Sequence, residues 1–264
     1  MLYSLARRAL FTLDAEHAHE LSLQAFRRFP VASTMPFASQ PVDDPVDLMG
    51  LRFANRVGLA AGLDKNGECL KAWAQLGFGF VEVGTVTPRP QPGNPRPRMF
   101  RLPAQRALIN RLGFNNKGVD YLISQVERSN FNGVLGINIG KNADTPIVSA
   151  VDDYIACLRK VHAPASYITV NISSPNTKNL RELQGDEQLN ALLNRLAQER
   201  EVLAQAQGKR TPMLVKIAPD VDDVQIEAVA RAALEHGVDG LIASNTTVTR
   251  PGLDQSPIAS ETGG

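Results

Sequence analysis

The chain has 264 residues, 43% of them hydrophobic and 21% charged, with 28 Lys+Arg against 27 Asp+Glu for a formal net charge of +1. Such a composition fills a hydrophobic core, which excludes a disordered chain, and near-neutral charge excludes a dedicated nucleic-acid binder, which carries a strong basic excess. Cys69 and Cys157 are too few for a disulfide framework and lack zinc-site spacing, no apolar run approaches the ~18 residues of a membrane span, and a polar start with Asp14 and Glu16 does not read as a signal peptide, so the expectation is an intracellular α/β protein, soluble or surface-bound.

In chain order, residues 1–29 read as one or two amphipathic helices. Leu2, Leu5, Ala9 and Leu13 recur at helical spacing beside Arg7 and Arg8, and Phe26 and Phe29 are flanked by Arg27 and Arg28. Basic residues next to an apolar stripe suit a helix lying on a membrane surface, and equally a helix pair docked on the main domain. Residues 30–47, with Pro30, Pro36, Pro41 and Pro45, read as a linker.

From residue 57 onward, short Val/Ile/Gly-rich runs alternate with helical patterns. The predicted strands are 57–61, 79–84, 133–139, 167–172, 213–217 and 239–243, and the predicted helices 67–76, 117–128, 151–161, 186–206 and 222–236. Strand–helix alternation implies a parallel sheet with right-handed crossovers. Six such units fit an open doubly wound sheet or a (β/α)8 barrel with two units not represented.

Each strand run closes in small polar residues: Gly62 to Gly67, Thr85 to Pro88, Asn138 to Asn142, Asn171 to Thr177, Lys216 to Asp220, and Ser244 to Thr247. One such cluster is ordinary turn chemistry. Six at the carboxyl ends of strands point to a site, because α/β barrels and open sheets carry their chemistry there. No paired carboxylates, HExxH or Ser-His-Asp pattern is present, and the glycine spacing from Gly136 to Lys141 is wrong for a phosphate loop. The clusters offer instead a ring of asparagines and two lysines. Asparagine both donates and accepts, which suits a planar ligand with alternating C=O and N–H groups, and a lysine at a strand end asks for an anion.

The stretches GLAAGLDKNGE, EVGTVTPRPQPGNPRPRMFRL, LINRLGFNNKG, GVLGINIGKN, VNISSPNTKNLRELQG, LVKIAPD and ASNTTVTRPGL resemble the class 2 dihydroorotate dehydrogenases from about residue 2 to the last residue. The resemblance implies an FMN-containing (β/α)8 TIM-type barrel with an N-terminal helical pair, residues 1–40 facing membrane and quinone and 41–264 forming the barrel. It implies oxidation of dihydroorotate to orotate in pyrimidine synthesis, with quinone as acceptor. It further implies a monomer without nucleic-acid partners, peripheral on the cytoplasmic side of a bacterial inner membrane. Carried over by residue, Ala61, Gly62, Leu63, Asp64, Lys65, Thr85, Asn138, Asn171, Lys216 and Ser244 resemble FMN contacts. Lys65, Asn110, Arg111, Leu112, Gly113, Phe114, Asn171, Asn176, Asn245 and Thr246 resemble the substrate set. Ser174 stands where class 2 enzymes place the catalytic base, and His19 and Arg101 resemble quinone-site residues. His17 and Arg98 have no such match and read as surface residues. The proline-rich run from Pro88 to Pro97 reads as a stiff loop leading to Arg101.

In one respect the chain departs from the family pattern. The family continues roughly 70 residues further, through two strands whose loops hold the FMN phosphate, in keeping with phosphate sites after strands seven and eight of barrels. The expectation is therefore six of eight βα units and a C-terminally incomplete barrel. Two other readings remain open: a different FMN barrel oxidoreductase acting on pyrimidines, and an inactive fragment.

Overall fold

The computed structural model describes residues 2–38, 42–253 and 256–264. Pro41 and the boundary expected at residues 40 and 41, like the side chain of Leu2, lie outside the described residues.

The expected helical pair is α1 (Leu2–Phe11) and α2 (Ala15–Arg28). Asp14 sets the start of α2: its carboxylate accepts from the backbone N–H groups of Glu16 (2.9 Å) and His17 (3.0 Å), first-turn donors that otherwise lack a partner. The expected linker holds a third short helix, α3 (Pro30–Thr34), with proline at the first helical position, where its missing N–H costs nothing. Next comes a hairpin of β1 (Val46–Leu48) and β2 (Leu51–Phe53), turned through Met49 and Gly50, both at positive φ (55° and 74°). That conformation matches the twist of a two-residue hairpin, but methionine in such a position gives no turn signal in sequence.

The remaining elements are β3 (Gly58–Leu59), α4 (Leu70–Trp73), β4 (Phe80–Val86), β5 (Met99–Leu102), β6 (Ala107–Asn110), α5 (Val119–Ser129), β7 (Val134–Ile139), α6 (Ala150–Val161), β8 (Tyr167–Asn171), α7 (Asp186–Gln207), β9 (Met213–Ile217), α8 (Asp223–Glu235) and β10 (Gly240–Ala243). The six predicted strands are present and pair in parallel in the order β3-β4-β7-β8-β9-β10. A doubly wound sheet reverses its strand order at a switch point. This sheet adds every new strand on the same side, as a barrel does. The barrel reading therefore holds, with β3 and β10 as the sheet's edges.

Alternation along the strands divides two faces. Val81, Val83, Leu135, Ile137, Ile168, Val170 and Val215 face the helices and form the main core, completed by Leu189, Leu192, Leu193 and Leu196 along one side of α7. Truncating one of those leucines to alanine costs about 2–5 kcal/mol. The concave face carries Phe80, Glu82, Tyr167, Thr169 and Lys216. Glu82 is buried there and accepts hydrogen bonds from Asn138 Nδ2 (2.8 Å), Tyr167 OH (3.0 Å) and Thr169 Oγ1 (3.0 Å), reaching two strands across the curl. Gly136 leaves the space for Tyr167, since a Cβ there would lie 2.2 Å from its ring. Phe53 meets Phe80 edge-on (centroids 5.4 Å apart), so the β1–β2 hairpin covers the amino-terminal end of the curl.

One predicted helix is much shorter than expected. Gly67 has a positive φ (69°), and the Asp64 carboxylate draws the following loop around itself by accepting from Glu68 N, Cys69 N and Trp73 Nε1. Only Leu70–Trp73 of the predicted 67–76 is helical.

Candidate active site

The carboxyl ends of β3, β4, β8, β9 and β10, together with the β5–β6 hairpin, surround a cavity of about 430 Å³. Five of the six polar clusters reach it. The third does not: Lys141 donates to the carbonyls of Asn142 (3.1 Å) and Thr145 (2.9 Å), while Asn142 ties down the loop carrying Thr87, Arg89 and Gln91.

The floor is a buried ladder of side chains. Asn171 Nδ2 donates to Thr85 Oγ1 (2.9 Å), Thr85 Oγ1 donates to Asn138 Oδ1 (2.6 Å), and Asn138 Nδ2 donates to Glu82. Asn171 Oδ1 accepts from both the N–H and the hydroxyl of Ser173, and its carbonyl accepts from Tyr154 OH (2.7 Å). This ladder fixes which way each amide points. Asn171 and Thr85 line the cavity, whereas Asn138 lies one step behind them and orients Thr85.

Ala61 to Lys65 follow β3. Gly62 sits at φ +112°, its N–H donating to Gly84 O (2.8 Å), and a Cβ built on it meets nothing within 4 Å, so any side chain would project into open space beside the cavity. Lys65 Nζ donates to Gly62 O (2.6 Å). Burial, and next the nearby Arg98 guanidinium, bring its pKa down to about 8. Lys216 stands beside Asn171 in the β8–β9 register and also lines the cavity. Asp64 is buried beneath with its carboxylate turned toward α4.

Ser174 is buried on the loop after β8. Its hydroxyl accepts from Asn176 N (3.2 Å), and among the described residues it donates to none. Thr177 on the same loop keeps a buried hydroxyl with no hydrogen-bond partner among the described residues. Asn176 Nδ2 donates to Asn110 O (3.1 Å), joining this loop to the segment Asn110–Phe114, of which Asn110, Leu112, Gly113 and Phe114 face the cavity. Arg111 turns away, to Glu261 (2.6 Å) and over the Phe100 ring (4.6 Å). Asn245 Nδ2 donates to Ser173 Oγ (3.0 Å), and Asn245 Oδ1 accepts from Thr246 N (2.7 Å). Ser244 and Thr246 complete that wall.

Sequence reasoning missed the hairpin side of this cavity. Met99 and Leu108 line it, and Asn110 ends the hairpin's second strand. Alternation over Met99–Leu102 and Ala107–Asn110, bracketed by Pro97 and Pro103, is the signal that could have found it. Arg98 is the clear correction. Expected at the surface, it is 6% exposed and forms a bidentate ion pair with buried Glu16 of α2, with Nε at 3.0 and 3.1 Å and Nη2 at 2.7 Å. His17 is exposed as expected.

His19 is half-buried between this cavity and a second one of about 370 Å³ that α2 forms with the loop after β3. Burial, and next the charge of Lys65, hold its pKa below the usual histidine value. Arg101 is farther out. It donates to Leu13 O (2.7 Å) and stacks on Phe11 (4.6 Å), closing the end of α1.

A cavity with cations at Lys65 and Lys216, an oriented amide at Asn171, open space over Gly62 and apolar contacts from Ala61, Leu63, Met99 and Leu112 fits flat heteroaromatic rings carrying negative charge. Residues 45–264 match the family profile described as dihydroorotate dehydrogenase. The protein of Aromatoleum aromaticum named dihydroorotate dehydrogenase (quinone) is 58% identical over 264 residues, spanning 100% of this chain and 75% of the relative. The protein of the same name from Pseudomonas putida is 57% identical, over 100% of this chain and 78% of its own length. Among solved structures, the Eimeria tenella enzyme crystallised with ferulenol superposes with a TM-score of 0.86 at 40% identity, covering 95% of this chain and 72% of that one. Its ligand-free form gives 0.85 at 41%. Sheet order, cavity, helical pair and sequence agree, and the chain belongs to the class 2 dihydroorotate dehydrogenases.

Proposed function

We propose that this protein oxidises dihydroorotate to orotate in pyrimidine synthesis, with FMN bound in the cavity and a membrane quinone as final electron acceptor. The observation that carries the reading is the convergence of Asn110, Asn171, Asn176 and Asn245 with Ser174 and two lysines on one cavity at the carboxyl end of a barrel sheet. A planar pyrimidine with a carboxylate matches that set in hydrogen-bonding capacity and charge. The same set disfavours a neutral pyrimidine base, which would leave the lysines without an anion. FMN, when bound, supplies the two-electron acceptor.

The side chains do the rest. The four asparagines hold the ring with its C5 hydrogen toward Ser174, which removes rotational freedom before reaction. Ser174 takes the C5 proton as its own hydroxyl proton passes on toward water, the unengaged Thr177 hydroxyl on the same loop being a group able to receive that proton while releasing its own. A serine hydroxyl is a weak base, so burial and this onward transfer must act together. Lys65 pairs with the substrate carboxylate, and Lys216 with negative charge on the cofactor ring.

Docking at a membrane rests on α1 to α3. Tyr3, Leu5, Phe11, Phe29, Val31 and Met35 are exposed there, interleaved with Arg7, Arg8, Arg27 and Arg28. Among the described residues no helix is long and apolar enough to cross a membrane. Helices of this pattern lie in the headgroup layer, here on the cytoplasmic side of a bacterial inner membrane. His19 and Arg101 then flank the quinone's approach. The test is dihydroorotate-dependent quinone reduction by the flavin-loaded protein, with dihydrouracil as the neutral control. Turnover of dihydroorotate alone supports the reading, and equal turnover of both overturns it.

A further inference from the structure

Three residues outside the cavity tie its loops together. Arg98 is buried on β5's approach, and its guanidinium holds three residues at once: Glu16 of α2 through Nε and Nη2, and the carbonyls of Pro92 (2.7 Å) and Asn94 (2.8 Å) through Nη1. The Asn94 side chain then spans the two substrate loops. Its Nδ2 donates to Arg111 O (2.9 Å) and to Asn176 O (3.0 Å), and its backbone N–H donates to Leu112 O (3.1 Å). The fit is close, since a Cβ at Gly113 would lie 2.8 Å from the Asn94 amide. Asn176 in turn donates its N–H to Ser174. Neither Asn94 nor Arg98 lines the cavity.

We propose that Asn94 is a positioning residue that fixes the spacing between the Asn110–Phe114 segment and the Ser174–Asn176 loop, and that Arg98 fastens this same frame to α2 and its His19. The inference rests on the function proposed above. The physical reason is the arithmetic of donors: both amide hydrogens of Asn94 go to carbonyls of different loops, so neither loop moves without breaking a bond. Glu16 does for α2 what Asn94 does for the substrate loops, and Arg98 belongs to both.

The pattern expected is one-sided, one-sided and shared. In the flavin-loaded protein, Asn94→Ala raises the KM for dihydroorotate and the calorimetric Kd for orotate by roughly tenfold and leaves the quinone KM within about twofold. Asn94→Asp, of the same shape but without donors, does at least as much. Measured at about pH 6, where Lys65 keeps its proton, Glu16→Gln raises the quinone KM and spares orotate binding, and Arg98→Met affects both. A merely structural role would move both KM values together with the thermal midpoint. An orotate Kd unchanged in Asn94→Ala, or an equal rise of both KM values there, overturns the inference, and the Asn94 pair decides it even where Arg98→Met fails to fold. A parent protein that binds no orotate overturns the function and this inference together. A parent that binds orotate, with an Asn94→Ala variant that binds it equally, overturns the inference alone.

Discussion

Replacing Lys65 with methionine should stabilise the ligand-free protein while abolishing its affinity for orotate. Lys65 is 8% exposed, donates one hydrogen bond to Gly62 O, and has its pKa lowered from 10.5 to about 8, first by burial and then by Arg98. A drop of that size corresponds to about 3 kcal/mol of differential interaction between charged and neutral forms. The unfolded chain therefore holds this proton more tightly than the folded one. The resulting penalty on folding is present in full below pH 8 and fades as pH rises from 8 toward 10.5. Methionine keeps the apolar stem and removes the charge, at a cost of about 1 kcal/mol for the lost hydrogen bond. A net gain of about 1–2 kcal/mol follows near pH 7, shrinking by pH 10. Urea unfolding of both proteins at the two pH values measures it, with orotate titration alongside. A Lys65→Met protein less stable than its parent at pH 7, or a difference that grows with pH, would refute the reasoning. The same linkage requires that the affinity of the parent for orotate fall as pH rises through about 8, where the free site loses its cation.

Ser174→Ala should slow the bleaching of flavin absorbance by dihydroorotate by ~10²–10⁴ with flavin content unchanged, and a rate within about threefold of the parent in stopped flow would remove Ser174 from the chemistry. Glu82→Leu leaves Asn138, Tyr167 and Thr169 without their shared acceptor and should cost about 3–5 kcal/mol in denaturant unfolding, with Glu82→Gln milder; an unchanged midpoint contradicts that account of the barrel interior. Leu5→Asp combined with Val31→Asp, both on exposed positions, should reduce co-sedimentation with anionic liposomes while orotate binding stays intact; retained sedimentation would place the membrane face elsewhere.

Local pattern was enough to place the six parallel strands and four of the five crossover helices, because each strand lies in a short apolar run and each helix carries a regular apolar stripe, as α7 does with Leu189, Leu192, Leu193 and Leu196. It was enough, too, to draw Lys65, Thr85, Asn171, Ser174, Asn176, Lys216 and Asn245 toward one site, since carboxyl ends of parallel strands must face the same way. Where the family pattern supplied Asp64, Asn138 and Arg111 as contacts, the fold turns their side chains elsewhere: onto the α4 loop, onto Glu82, and onto Glu261. The shortening of α4, the seating of the β1–β2 hairpin on the sheet and the burial of Arg98 depended on partners outside the local pattern. Asp64 finds Trp73, Phe53 finds Phe80, and Arg98 finds Glu16 from 82 residues away. An arginine next to a proline in a proline-rich loop looks like any surface arginine until the carboxylate that cancels its charge is in place. Periodicity is written in neighbouring residues and so was legible, whereas the pairing of buried charges and the aim of each amide exist only once the chain has closed on itself.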